Sequence, residues 1–202
     1  MFWDKVAFIY DLFADLYNGK THAILCRKIE SLIEPEDDVL ECACGTGMLT
    51  VRIAPRCRSM VATDLSPNML KKAQKKCRMY DDLTFEQSNI LHLKHPSERF
   101  DKVVAANVIH LLDDPYQALR ELDRVCKVGG KMIIPTYIQK NDKNSDLMEK
   151  TVGKAGANFK RRFTIESYRD FFAEAGYENV EFFVADGRVA CAVAVITKNK
   201  KS

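Results

Sequence analysis

The chain has 202 residues, 47% of them hydrophobic, which suits one domain with a sizeable core and excludes a cofactor domain joined to a separate catalytic domain. Lysine and arginine number 31 against 28 aspartates and glutamates, so the overall charge calls for neither nucleic acid nor an anionic membrane as partner. The 7 cysteines are odd in number and lie mostly in apolar runs, which fits reduced thiols in a cytosol rather than a disulfide framework.

No apolar stretch approaches the ~20 residues of a membrane helix, and Met1-Phe2-Trp3-Asp4-Lys5 lacks a secretory pattern, so a cytoplasmic protein is expected. Trp3 to Glu34 reads as two helices carrying Trp3, Phe8, Tyr10, Phe13 and Tyr17. These aromatics form either a lid over a site or the apolar face of a helix packed on the core. Tyr10, Tyr17 and, more weakly, His22 are the candidates from this lead-in.

Val39 to Gly47 reads Val-Leu-Glu-Cys-Ala-Cys-Gly-Thr-Gly: an apolar strand ending in the acid Glu41, then a loop of small residues opening into a helix. Gly45 and Gly47 permit a sharp turn and close approach of a ligand. A carboxylate at the strand tip serves a phosphate poorly and a cationic ligand well. Cys42 and Cys44 form only Cys-x-Cys, with no other Cys or His at zinc spacing nearby, so no metal site is expected.

Ser59 to Thr63 is a second strand, followed by Asp64-Leu65-Ser66-Pro67-Asn68-Met69-Leu70. Ser66 is a natural N-cap and Pro67 suits the first helical position, which leaves Asp64 at a carboxyl end of the sheet. Beyond it, Met69, Ala73 and Cys77 face inward, and the Lys71-Lys72 and Lys75-Lys76 pairs are solvated. Leu83 to Gln87 is a third strand running into Ser88-Asn89-Ile90, and Phe100 to Ala106 is a fourth, followed by Asn107-Val108-Ile109-His110.

The four segments resemble, in order, the motifs of class I S-adenosylmethionine-dependent methyltransferases, and the match covers roughly residues 35 to 137. Glu41 to Gly47 fits the family's acid-x-Gly-x-Gly-x-Gly except that Ala43 replaces the first glycine, which is tolerable if its φ is below zero. Asp64 to Leu70 fits acid-x-Ser-Pro-x-Met-Leu. The resemblance implies S-adenosylmethionine as cofactor. By it, Glu41 orients the methionine end, Ala43, Cys44, Gly45 and Gly47 underlie it, and Asp64 holds the ribose beside Leu65 and Met69. The family often has Gly-Asp-Ala where Ser88, Asn89 and Ile90 stand, so Asn89 would meet the adenine amino group through its carbonyl. Asn107 is expected nearest the methyl donor. The Ala7-x-x-Tyr10-Asp11 lead-in resembles enzymes related to quinone-biosynthesis C-methyltransferases, in which a tyrosine here can approach the cofactor. Tyr10 is therefore both a cofactor-binding and a catalytic candidate.

The chain continues with a helix from Asp114-Pro115 whose Ala118, Leu119, Leu122, Val125 and Cys126 recur at helical spacing, closed by Gly129-Gly130 before a strand at Lys131 to Pro135. Ile138 to Arg162 breaks the rhythm. It carries Lys140, Lys143, Lys150, Lys154, Lys160, Arg161 and Arg162 against Asp142, Asp146 and Glu149, either as a substrate-covering insertion or as a solvated surface. Thr164 begins another helix and Gly176 follows it. Val180 to Val184 and Val189 to Thr197 then pair around Asp186-Gly187, and Lys198 to Ser202 is expected to fray.

The expected architecture is a single α/β domain over residues 1–202: a doubly wound, mostly parallel seven-stranded sheet with a C-terminal antiparallel hairpin and helices on both faces. Residues 1–34 would form a helical lid and 138–162 the covering insertion. Methyl transfer needs alignment more than acid or base, but a phenol, hydroquinone or enolizable carbon must lose a proton, and His110 after the fourth strand is the candidate base. It could equally line the pocket or begin the next loop.

A nicotinamide dehydrogenase is disfavoured because Thr50 stands where Gly-x-Gly-x-x-Gly requires glycine. A scaffold that keeps the cofactor without catalysis must be weighed because of Ala43 and Asn89. No proline is followed by proline or cysteine, which removes the signatures of amino-group nucleic-acid and cytosine-ring methylases. A small-molecule acceptor is preferred over RNA or protein, and oligomeric state is open.

Overall fold

The computed structural model describes residues 18–139 and 160–200. Trp3, Phe8, Tyr10, Phe13, Tyr17 and most of the 138–162 segment lie outside these residues, so the expectations placed on them are not addressed by it. The strands are β1 (Asp38–Cys42), β2 (Ser59–Asp64), β3 (Leu83–Gln87), β4 (Phe100–Ala105), β5 (Cys126–Ile138), β6 (Val180–Ala185) and β7 (Ala190–Thr197). They form a seven-stranded sheet in the order β3-β2-β1-β4-β5-β7-β6. β1 pairs in parallel with both β2 and β4, and β7 alone runs antiparallel, between β5 and β6. The chain therefore winds outward in two directions from β1 and β4. Ligands of open α/β sheets bind outside the carboxyl ends of the strands at such a reversal.

Alternation along the strands sorts the core into two layers. Val39, Val104 and Ile133 pack with Leu25, Cys26 and Ile29 of α1 (Gly19–Glu30), Ile53 of α2 (Thr50–Ile53) and Ala73 of α3 (Pro67–Lys76). Their neighbours Leu40, Val103 and Met132 pack on the opposite face with Leu119 and Leu122 of α4 (Pro115–Val125) and Phe172 of α5 (Ile165–Glu174). Both faces are buried, as a parallel sheet with helical crossovers requires.

The caps stand where the sequence puts them. The Ser66, Asp114 and Thr164 side chains accept from the backbone N–H of Met69, Gln117 and Ser167, fixing the starts of α3, α4 and α5. Among the described residues no helix is long and apolar enough to cross a membrane.

Two expectations need correction. Gly129 and Gly130 do not close α4, because Cys126 is already extended and buried and β5 begins there. The glycines instead lie in the strand, next to a register irregularity between Phe100 and Lys102 on β4. Lys198 is anchored rather than frayed: its backbone N–H donates to the Gly130 carbonyl, and its ammonium donates to the Asp123 and Cys126 carbonyls at 2.8 Å. The helix after the glycine loop, α2, has 4 residues.

Candidate active site

A cavity of about 310 Å³ opens at the carboxyl ends of β1, β2, β3 and β4. From the first loop it is lined by Glu41, Ala43, Cys44, Gly45 and Thr46; from the second by Asp64, Leu65 and Met69; from the third by Ser88, Asn89 and Ile90; and from the fourth by Asn107. Gly47 is not part of the lining. A methyl group on it would come within 3.0 Å of the Ala73 Cβ, so Gly47 lets α3 close on the loop.

Glu41 is the last residue but one of β1, and the same alternation that buries Val39 turns its side chain under the loop, where it is 2% exposed. The Thr50 hydroxyl donates to its Oε2 at 2.6 Å. Burial pushes the carboxyl up to about 8; the Thr50 bond opposes this and the charge of Asp64 reinforces it. A buried acid of this kind is restored to its charged form by a cation placed against it.

Asp64 ends β2. Its Oδ2 accepts from Gly45 N–H at 2.9 Å and its Oδ1 from Ser66 N–H at 2.8 Å, so the carboxylate clasps together the loops that follow β1 and β2. Ala43 corrects the sequence reading: its φ is +55°, in the left-handed region, not below zero. Gly45 and Asn107 share that region at +56° and +53°, conformations that glycine and asparagine adopt more readily than alanine.

Asn89 caps its own turn, since its Oδ1 accepts from Leu91 N–H at 3.0 Å. That oxygen keeps a second acceptor position, so the expected contact with an adenine amino group stays open to it beside the amide NH₂. The Ser88 hydroxyl is buried and has no hydrogen-bond partner among the described residues.

His110 does not line the cavity. It is 5% exposed, its Nδ1 lies 2.8 Å from the Thr136 hydroxyl, and burial lowers its pKa to about 4. Its backbone carbonyl accepts from Lys160 and Arg161 N–H, which anchors the chain returning from the 138–162 segment. The chain leaving β5 meets that return directly, as Gln139 N–H donates to the Phe163 carbonyl at 2.7 Å.

The remaining wall comes from residues that the strand motifs did not single out. His22 and Leu25 reach it from α1, Met48 and Leu49 from the end of the first loop, and Ala106, Val108, Leu111, Leu112 and Tyr137 from the ends of β4 and β5. Tyr137 carried a signal in its place at the end of a strand. His22, the weaker candidate of the lead-in, reaches the wall, whereas Leu25 carried no signal beyond helical spacing, because only tertiary packing brings α1 over the loop. This wall is mainly apolar, whereas Glu41 and Asp64 add two acids to the lining.

Residues 40–134 match the family described as a methyltransferase domain. The ubiquinone/menaquinone biosynthesis C-methyltransferase of Bdellovibrio bacteriovorus is 31% identical over 144 residues, covering 69% of this chain and 61% of that protein. The chain thus spans less than two thirds of this relative's length. The protein of the same name from Pectobacterium atrosepticum is 28% identical over 212 residues, covering 92% of this chain and 84% of its own. Among solved structures, an S-adenosylmethionine-dependent methyltransferase from Thermotoga maritima superposes with a TM-score of 0.76 at 21% identity, covering 98% of this chain and 99% of the other, which shows the shared fold. Domain match, relatives and fold agree with the acid-tipped loop and the clasping aspartate, and the chain belongs to the class I, Rossmann-like S-adenosylmethionine-dependent methyltransferases.

Proposed function

We propose that the protein transfers the methyl group of S-adenosylmethionine to a small, largely apolar acceptor, releasing S-adenosylhomocysteine. The observation that carries this reading is one cavity lined by two acids, the buried Glu41 and the half-buried Asp64, and by a largely apolar wall that also holds His22, Asn107 and Tyr137. When bound, the cofactor supplies a methyl group on a sulfonium, the leaving group of an in-line displacement.

The residues divide the remaining work. Glu41 holds the cofactor ammonium, and Ala43, Cys44 and Gly45 form the floor beneath the methionine. Asp64 takes the ribose hydroxyls on its carboxylate oxygens. Leu65, Met69 and Ile90 flank the base, with Ser88 and Asn89 at its edge. Asn107, held by its N–H bond to the Pro135 carbonyl at 2.8 Å, stands at the junction where acceptor and methyl group meet. The apolar wall excludes water and aligns the acceptor. Where the acceptor must lose a proton, His22 is the described histidine that lines the cavity, and it replaces His110 in that role.

The names of the relatives point to carbon methylation of a quinone precursor, and the apolar wall fits the ring of a hydroquinone. On this reading the whole of 1–202 is one domain; the lid expected of 1–34, with Tyr10, and the covering role expected of 138–162 fall largely outside the described residues. Titration calorimetry with S-adenosylmethionine, S-adenosylhomocysteine and NAD tests the cofactor, and mass spectrometry of a naphthohydroquinone incubated with enzyme and cofactor tests the acceptor. Micromolar binding of the first two ligands and a 14-dalton gain on a ring carbon are expected. Binding of NAD alone, or of nothing, would overturn the reading.

A further inference from the structure

The outer face of α3 carries charge of one sign only. Lys71, Lys72, Lys75, Lys76 and Arg78 fall within eight consecutive positions, and no acid stands between Leu65 and Tyr80. All five are exposed, while Met69, Leu70 and Ala73 turn the other side of the helix into the core. Lys71, Lys75 and Arg78 follow one another at i, i+4 and i+7, with Lys72, Lys76 and Met79 alongside, so the charges share one face. Unlike Arg52 and Arg56, which share Glu30, the side chains of Lys71, Lys72, Lys75 and Arg78 have no ion-pair partner among the described residues. The five charges exceed the net +3 of the whole chain, so the rest of the molecule is net acidic. A face that only solubilises mixes both signs, whereas a single-sign face on an otherwise acidic molecule turns toward an anionic partner.

Exposed apolar residues stand at both ends of this face. Met79 is 68% exposed in the turn after the helix, and Leu65, 46% exposed just before it, also lines the cavity. Basic residues beside exposed apolar ones suit a bilayer surface, where ammonium and guanidinium groups meet phosphate heads and apolar side chains enter the layer beneath. A nucleic-acid backbone would meet the charges but give Met79 and Leu65 nothing to enter. We propose that the exposed face of α3 docks the protein onto an anionic phospholipid bilayer, with the Leu65 side of the cavity rim next to the lipid. The docking stands on the charge pattern and goes beyond the methyl-transfer reading. Taken with that reading, it brings the cavity to the medium in which an apolar acceptor dissolves.

The test is co-sedimentation of the full chain, at low salt, with vesicles of phosphatidylcholine alone or with about a third of phosphatidylglycerol. Binding to the anionic vesicles is expected to be at least about tenfold tighter, and to fall as salt shortens the reach of the charges. Lys71→Gln with Lys75→Gln should weaken it by about 25-fold, at about fivefold per lost charge. Arg120→Gln with Arg169→Gln removes the same charge from α4 and α5, on the opposite face of the sheet, and should weaken it by less than about threefold. The lysine variant should keep the melting temperature and the S-adenosylhomocysteine affinity of the unsubstituted protein, since neither residue lines the cavity. Equal binding to neutral and anionic vesicles, or equal weakening by the two double variants, would overturn the proposal and leave the methyltransferase reading intact. Tighter binding of polyuridylate than of anionic vesicles, lost in the lysine variant, would hand the face to a nucleic acid and overturn it as well. Failure of the unsubstituted protein to bind S-adenosylhomocysteine would count against the methyltransferase reading and leave the docking result standing.

Discussion

At residue scale, Ala43 and Glu41 are the positions where local preference and the site disagree. An L-residue in the left-handed region costs roughly 1–2 kcal/mol, and Ala43 occupies it at φ +55° without the side-chain hydrogen bonding that lets asparagine do so at Asn107. Ala43→Gly should therefore stabilise the protein by about 0.5–1 kcal/mol after the greater chain entropy of glycine is subtracted, measured by urea denaturation. Loss of stability would mean that the methyl group packs usefully against the cavity floor. Glu41 makes a pH-dependent contribution whose sign follows from its raised pKa. Stability from a carboxyl that keeps its proton up to about 8 is fully present below its ordinary value of 4.5 and is lost as pH rises through about 8. Glu41→Gln should flatten the stability profile across that window. Ligand affinity runs the opposite way, because the cofactor ammonium favours the ionised acid. S-adenosylhomocysteine binding near pH 7 should release a proton, which calorimetry in buffers of differing ionisation enthalpy would detect. Uptake of protons would contradict the assigned partner.

At the scale of elements, the junction between α4 and β5 shows how packing overrules punctuation. A glycine pair after an amphipathic run ordinarily ends a helix, and the spacing alone favours that reading. Here the helix stops earlier because Cys126 is drawn into the sheet core, and the glycines serve the strand. A Cβ on Gly130 would lie 2.8 Å from the Asp101 carbonyl oxygen and 2.9 Å from both the Cys126 sulfur and the Lys127 carbonyl oxygen. Gly130→Ala must shift backbone and should destabilise by about 1–3 kcal/mol, whereas Gly129→Ala meets no such contact and tests only its φ of +81°. Equal effects of the two substitutions on the denaturation midpoint would refute this division of roles.

For the whole molecule, closure depends on joining distant ends of the chain. Asn18, just ahead of α1, is 3% exposed; its Nδ2 donates to the Val189 carbonyl at 3.0 Å and its Oδ1 accepts from Val189 N–H at 3.1 Å. This pair of bonds spans 171 positions and fastens α1 to the β6 and β7 hairpin, positioning His22 and Leu25 over the loop of β1. Asn18→Ala should cost about 2 kcal/mol, since it leaves two backbone groups without their partner. It should also weaken cofactor binding although Asn18 does not line the cavity; unchanged affinity would show that α1 keeps its place by apolar contacts alone.

Much of this was legible in the chain itself. The strands, the helix caps and the positions of the acids Glu41 and Asp64 follow from apolar periodicity and from residues whose chemistry acts within one or two turns of their own position. The backbone conformation of Ala43, the orphan hydroxyl of Ser88, the withdrawal of His110 behind the wall and the arrival of His22 were decided only in the tertiary structure. Each depends on what the rest of the chain places against the residue, and burial, pairing and cavity lining have no local signature.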